Sequence, residues 1–250
     1  MKRLVIPLFG LLTLLPILYG GCGGGGDSTS GSTLFFASKP FSSEVPVGSN
    51  TELSVTGVNG IIEVNGSASA SSVLISGVMK VGSFTLQDAQ DHLVDLDVDI
   101  TVPGTVVTVE TIQPDPANTG GRNFIVEYTI TIPEKFFVDV SQANGEIILS
   151  DLSGDIMGRL ANGSMDVTAR VSPNGSIDLS GANMGATLTV PTNTSAALSL
   201  STATGSLAVS NLTIPDLHQT RFSLTGTLGG GNGQIMISNA NGSIRVIGAP

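Results

Sequence analysis

Tryptophan is absent from this 250-residue sequence, cysteine occurs once, and there are only two histidines and two tyrosines. That scarcity leaves no cysteine–histidine metal set, no disulfide within the chain, and few bases for a hydrolytic triad. Charged residues are equally sparse at 12%, ten basic against twenty acidic, for a formal charge of -10. So acidic a chain is repelled by a phosphate backbone, and no nucleic-acid partner is expected. No cofactor is expected either. What the sequence does contain is glycine (32 residues), serine, threonine, asparagine and aliphatics, with 40% hydrophobic residues, which is too apolar for a disordered chain.

Residues 1–21 read as an export signal: Lys2 and Arg3, an apolar run from Leu4 to Leu18, then small residues before Cys22. The run is shorter than the roughly 20 residues a bilayer-spanning helix needs, and Pro7 and Pro16 interrupt it. Leu18-Tyr19-Gly20-Gly21-Cys22 resembles a lipobox, with Tyr19 where leucine is usual. Cys22 is therefore the expected lipid-attachment residue, and the membrane is the expected partner at this end. An ordinary secretory signal followed by a stray thiol is the alternative, although a lone thiol in an oxidising compartment is a liability. Residues 22–34 then form a Gly/Ser-rich flexible tether behind the lipidated cysteine. Removing Lys2 and Arg3 leaves eight basic against twenty acidic residues, a mature charge of -12. The expected location is the cell envelope, lipid-anchored. Gly23 at the second mature position resembles the outer-membrane-sorted type, for a bacterium that has one.

From residue 35 to 250 no linker is visible, and one pattern recurs: a glycine, usually after asparagine, then a strand with apolar side chains at the second and fourth positions. The glycines are Gly60, Gly145, Gly154, Gly163, Gly175, Gly205, Gly233 and Gly242. Alternating polar and apolar residues argue half-buried strands, and Asn-Gly supplies the backbone that a tight change of direction needs. The expected fold is all-β, a single-domain β-solenoid with Asn-Gly corners, because turn residue and strand phase repeat along the chain as rungs would. Asn-Gly is also a hairpin signal, so a β-sandwich or meander is the alternative. Asp88 to Leu93 reads as the one short helical segment, and Gln113 to Arg122 as a polar loop.

Asn59-Gly60-Ile61-Ile62-Glu63-Val64, the strand Tyr128 to Pro133 leading into Phe137-Val138-Asp139-Val140, the Asn-Gly run after it, and the ending Gly226 to Gly231 followed by Asn241 to Val246 resemble the bacterial putative-adhesin family of unknown function, related to adhesin head domains. The resemblance covers nearly all of residues 35 to 250 and implies a β-solenoid-like domain outside the cytoplasm. It carries no binding residues with it.

Asp95-Leu96-Asp97-Val98-Asp99 has the spacing that opens a calcium loop, but Ile100 stands at the required glycine and Val106 at the closing glutamate. Gly230-Gly231-Asn232-Gly233 opens like a calcium nonapeptide, yet Ile235 takes the aspartate's place. No metal site is expected. His92 and His218 stand in no nucleophile motif. Asp155, Asp166 and Asp178 fall on successive strands and could line one outer face as general acid and base for a polysaccharide. Turn composition explains most of the sequons at Asn65, Asn162, Asn174, Asn193, Asn211 and Asn241, and they carry no functional weight.

The leading expectation is thus a lipid-anchored, non-enzymatic envelope protein whose solenoid binds a protein or glycan partner or mediates adhesion. A structural protein that self-associates through its ends is an alternative, because the last strand stops at Pro250 with little beyond it to cover an edge. A polysaccharide-active β-helix enzyme is the other.

Overall fold

The structure, a computed structural model, describes residues 34–250; the signal, Cys22 and nearly all of the tether lie outside the described residues. In chain order the strands are β1 (Phe35–Pro46), β2 (Glu52–Ser67), β3 (Ser72–Ser83), β4 (Asp97–Thr101), β5 (Val106–Ile112), β6 (Asn123–Pro133), β7 (Phe137–Leu152), β8 (Ile156–Ala169), β9 (Ser176–Pro191), β10 (Ala196–Thr204), β11 (Leu207–Ser210), β12 (His218–Gln219), β13 (Ser223–Leu228), β14 (Gly233–Asn241) and β15 (Ile244–Ala249). One α-helix, α1 (Leu86–Asp91), follows β3; Thr85 caps it by accepting a hydrogen bond from the Asp88 amide at 3.1 Å. The fold is all-β, and every strand belongs to one sheet.

Each of the four longest strands, β2, β7, β8 and β9, is two strands in one. In β7 the buried residues around the corner are Val138, Val140 and Gln142, then Ile147 and Leu149, with Leu152 buried after a bulge. The phase flips from even to odd numbers across Asn144-Gly145. β8 does the same across Asn162-Gly163, from Leu160 to Met165. The flip turns the inner side of one half towards the inner side of the other. Side chains confirm the approach: a Cβ on Gly158, before the β8 corner, would lie 2.8 Å from the sulfur of Met165, after it. One hydrophobic cluster fills the wedge from Phe41 to Val246.

Parallel, in-register pairing stacks these bent rungs. β2 pairs with β7, β7 with β8, and β8 with β9, always joining corner to corner: Asn59 with Asn144, Asn144 with Asn162, Asn162 with Asn183. Beyond β9, one rung is made of β14 and β15 and the next of β10 and β11. Beyond β2, β5 and β6 make another, with the Gln113 to Arg122 loop in place of a corner. Antiparallel strands close both ends: β3 and β1 beyond β6, β4 beyond β5, and β13 and β12 beyond β10.

Spatial order departs from chain order at both ends. β2 lies inside the β5–β6 rung that follows it, and β14–β15 lies inside the β10–β11 rung that precedes it. This corrects the expectation that the last strand is an open edge: β15 is paired with β9 on one side and β11 on the other. The long free edge is β1, where Pro40 and Pro46 remove two amide donors and Lys39 adds a charge, features that discourage further strand pairing.

The recurrent glycines fall into two groups. Gly60, Gly145, Gly163, Gly205 and Gly242 sit at mid-rung corners with φ between 124° and 146°. Gly154 and Gly175 lie in connections between rungs, and Gly233 opens β14; none of the three has positive φ. The nine-residue spacing is therefore half a rung, alternately corner and connection.

At Gly163 a Cβ would sit 1.8 Å from the Gly145 carbonyl oxygen, on a backbone (φ 138°) that side chains avoid. Gly185, on β9, has open space around the same position and no positive φ. Urea unfolding is expected to show Gly163→Ala destabilised by more than ~1 kcal/mol and Gly185→Ala within ~1 kcal/mol of wild type; equal effects would contradict the corner geometry.

Candidate functional site

Because the rungs are in register, the corner asparagines form a ladder along the outside of the bend. Asn241 donates to Asn183 at 2.8 Å, Asn183 to Asn162 at 2.8 Å, Asn162 to Asn144 at 2.9 Å and Asn144 to Asn59 at 2.9 Å. Asn59 donates in turn to the Phe124 carbonyl at 3.0 Å, and Thr204 closes the other end on Asn241. The inside of the bend is polar too. Buried Gln142 donates to the Gly60 and Asn144 carbonyls at 2.7 and 2.9 Å, and Asn239 to those of Met184 and Asn241 at 2.5 and 2.6 Å. Thr202 donates to the Thr204 carbonyl at 3.0 Å. These side chains satisfy carbonyls that the corner removes from regular strand geometry.

The outer face of the first half-sheet carries two aligned rows. Thr56, Ser141, Arg159, Ser180, Ser238 and Ser201 occupy consecutive rungs in one. Ser54, Asp139, Met157, Asp178, Met236 and Ser199 occupy the other. Neighbouring rungs are about 4.8 Å apart and alternate positions about 7 Å apart, so this is a regular grid of short polar groups. Arg159 reaches across the rows to Asp139 at 2.7 Å, and the apolar members are Met157 and Met236, the latter 49% exposed.

The three aspartates expected on one face are separated. Asp178 precedes its corner, between Met157 and Met236, whereas Asp166 follows its own, between Ile148 and Thr187. Asp155 lies before β8 and accepts the Ser176 amide at 2.8 Å. The bend places Asp178 and Asp166 on different halves of the wedge, so the three do not line one face. Asp97 and Asp99 lie on β4, and among the described residues no three His, Cys, Asp or Glu side chains gather as a metal could require.

His92 Nδ1 lies 2.6 Å from Asp95 and its Nε2 3.6 Å from Asp88. Arg122 donates to both oxygens of Asp88, at 2.8 and 2.6 Å, tying the 113–122 loop to α1. The Arg122 bonds, and one from Ser83, hold the Asp88 carboxyl down at about 2, and the bond to Asp88 raises Arg122 above its usual value. His218 is exposed on β12; nearby Asp216 is lowered by accepting the Thr227 hydroxyl and amide. Burial pushes the Tyr128 hydroxyl up to about 12, and it pairs with Thr111 at 2.6 Å in the core. Two shallow clefts at the connection side share Arg170 and Pro191. These are structural pairs and surface grooves, with no nucleophile set against a base.

Sequence patterning missed Asn183 as a ladder member, because Met184 replaces the corner glycine there. The signal was the room Gly181 leaves: a Cβ on it would lie 2.8 Å from that of buried Met184. Asn174 and Asn211, by contrast, are turn residues with φ of 62° and 58°.

No protein-family model matches this sequence, and no curated protein does. Among solved structures, a putative cell adhesion protein from Clostridium sporogenes superposes with a TM-score of 0.57 at 12% identity, over 85% of this chain and 100% of that one. The fold is shared with that protein. A putative adhesin from Bacteroides fragilis aligns over 83% of this chain and 97% of that one at 12% identity, but its TM-score of 0.23 carries no weight.

Replacing Asn162 with alanine removes the acceptor of Asn183 and the donor to Asn144 together. A loss of ~0.5–1.5 kcal/mol is expected in urea unfolding, small because water reaches the exposed ladder; a double-mutant cycle with Asn144→Ala should give less than additive loss. Asp88 titrates near 3.8 when unfolded and about 2 when folded, so its stabilisation is present above pH 4 and lost as pH falls towards 2. Acid unfolding of Asp88→Asn is expected to lack that component, with the pH dependence between 4 and 2 flattened.

Proposed function

We propose that this is a lipid-anchored cell-envelope protein that presents a non-catalytic β-solenoid for adhesion or partner binding. The observation that carries the reading is the stack of bent parallel rungs, whose outer grid of hydroxyls, Arg159, Asp139, Asp178 and Met236 is held rigidly by in-register pairing. Such a grid meets an extended partner, a glycan chain or a protein strand, at many weak points instead of one deep pocket. The fold shared with a protein named as a putative cell adhesion protein supports the same direction. Cys22 supplies the lipid after signal cleavage, and the tether behind it links that lipid to the solenoid. Two acyl chains bury enough methylenes, at about 0.8 kcal/mol each, for stable anchoring.

Binding of the processed protein to panels of glycans, matrix proteins and isolated envelopes tests the reading. Saturable binding to at least one class is expected, weakened tenfold or more by Arg159→Glu combined with Met236→Lys without loss of folding. Uniform absence of binding would sink it. Cys22→Ala is expected to release the protein from the membrane fraction, and protease shaving of intact cells reads which side of the envelope the rungs face.

A further inference from the structure

Four phenylalanines are exposed among the described residues, and three of them lie at one end of the molecule: Phe35 (50%), Phe36 (48%) and Phe84 (59%). Pairing puts them there. Phe35 faces Ser83 and Phe36 faces Gly82 across the β1–β3 ladder, and Phe84 follows directly. The Phe36 ring covers Gly82 so closely that a Cβ on that glycine would lie 2.7 Å from it. α1 and the 3-10 turn Leu93–Asp95 pack on the same two strands and add Leu86 (40% exposed) and Val94 (84%). The other phenylalanines at this end of the stack are spent on the core: Phe41 and Phe124 are buried. Phe35 and Phe36 lie on opposite faces of β1 by strand alternation, so they flank its free edge, and exposed apolar side chains gathered on both sides of one edge call for an occupant.

We infer that Phe35, Phe36, Phe84, Leu86 and Val94 form a membrane-contact patch that seats the domain against the bilayer to which its own N-terminus is anchored. The inference rests on the proposed lipid at Cys22. Twelve residues, 23–34, separate that cysteine from Phe35, the first residue of β1. A random coil of twelve Gly/Ser-rich residues spans roughly 17–21 Å, and about 40 Å at full stretch. The end of the fold that carries the patch is therefore the end held next to the headgroups. Phenylalanine and leucine side chains gain by burying their apolar surface at the boundary between headgroups and acyl chains.

Charge argues against a second copy of the chain as occupant. Asp91 and Asp95 are exposed on the same segment as Leu86 and Val94, so face-to-face copies would oppose carboxylates. A zwitterionic lipid surface imposes no such repulsion. Seated in this way, β1 and β3 lie at the membrane end of their half-sheet, and the rungs out to β11 project roughly 40 Å from it, at ~4.8 Å per strand.

The absence of tryptophan makes the test clean, because Phe84→Trp introduces the sole indole. Phe222→Trp is the control: Phe222 is 42% exposed but lies beside β13, at the opposite end of the stack. The processed variants are reconstituted into phosphatidylcholine vesicles with brominated or plain acyl chains, and circular dichroism checks their strand content. For the indole at position 84, a blue shift and loss of emission to brominated chains are expected, unchanged by high salt; the indole at position 222 should show neither. Flotation with the vesicles reports the anchor separately. A protein that floats while the indole at 84 keeps its solution spectrum overturns the patch and leaves the anchor standing. A blue shift without bromine quenching that grows with protein density overturns it in favour of contact between copies. Should the protein fail to float, the anchoring reading fails, and coupling the single Cys22 thiol to a maleimide lipid still reads the patch by the same quenching.

Discussion

The corner is the constraint on which the rest of this structure depends. A strand that turns sharply in mid-course gives up regular partners for its carbonyls, and it needs a residue that tolerates positive φ. Here Gly60, Gly145, Gly163, Gly205 and Gly242 provide the conformation. Asparagine side chains tie each corner to the next on the outside, and Gln142, Asn239 and Thr202 return donors to the stranded carbonyls on the inside. Each device works only if the neighbouring rung bends at the same register position. The ladder therefore fixes register, register fixes which side chains enter the wedge, and the filled wedge holds the two half-sheets together.

The proposed function draws on the same regularity. The outer grid of serine and threonine is broken by Arg159, Asp139, Asp178 and two methionines. Arg122 and Asp88 pin a loop to α1, and Tyr128 is locked against Thr111. What the fold offers is breadth: repeated, shallow, rigid contact. The interleaved ends contribute to that rigidity, since β15 is paired on both sides and cannot fray as an open terminus would.

Much of the fold was legible along the chain. Alternation located the strands, Asn-Gly marked the bends, and the segment read as helical at Asp88 to Leu93 meets α1 at Leu86–Asp91 and the turn after it. The half-rung meaning of the nine-residue spacing was not legible, because a corner glycine such as Gly145 and a connection glycine such as Gly154 look alike in sequence. Asn183 was hidden for a related reason: buried Met184 stands where glycine is expected, and the compensating space at Gly181 is visible only in three dimensions. The separation of Asp166 from Asp178 has the same origin, since strand alternation does not show a phase flip that reverses which side faces out.

Local chemistry by itself determined the all-β character, the bends and the sparse reactive inventory, because alternation, Asn-Gly pairs and residue counts act over a few neighbours. Only the tertiary structure decided the order of the rungs, the pairing of the last strand, the asparagine ladder and the gathering of Phe35, Phe36 and Phe84 at one end. Those depend on contacts between residues as far apart as Asn183 and Asn241, or Phe36 and Gly82. Which rung stacks on which is settled by total burial and hydrogen bonding in the packed wedge, and no single segment carries that information.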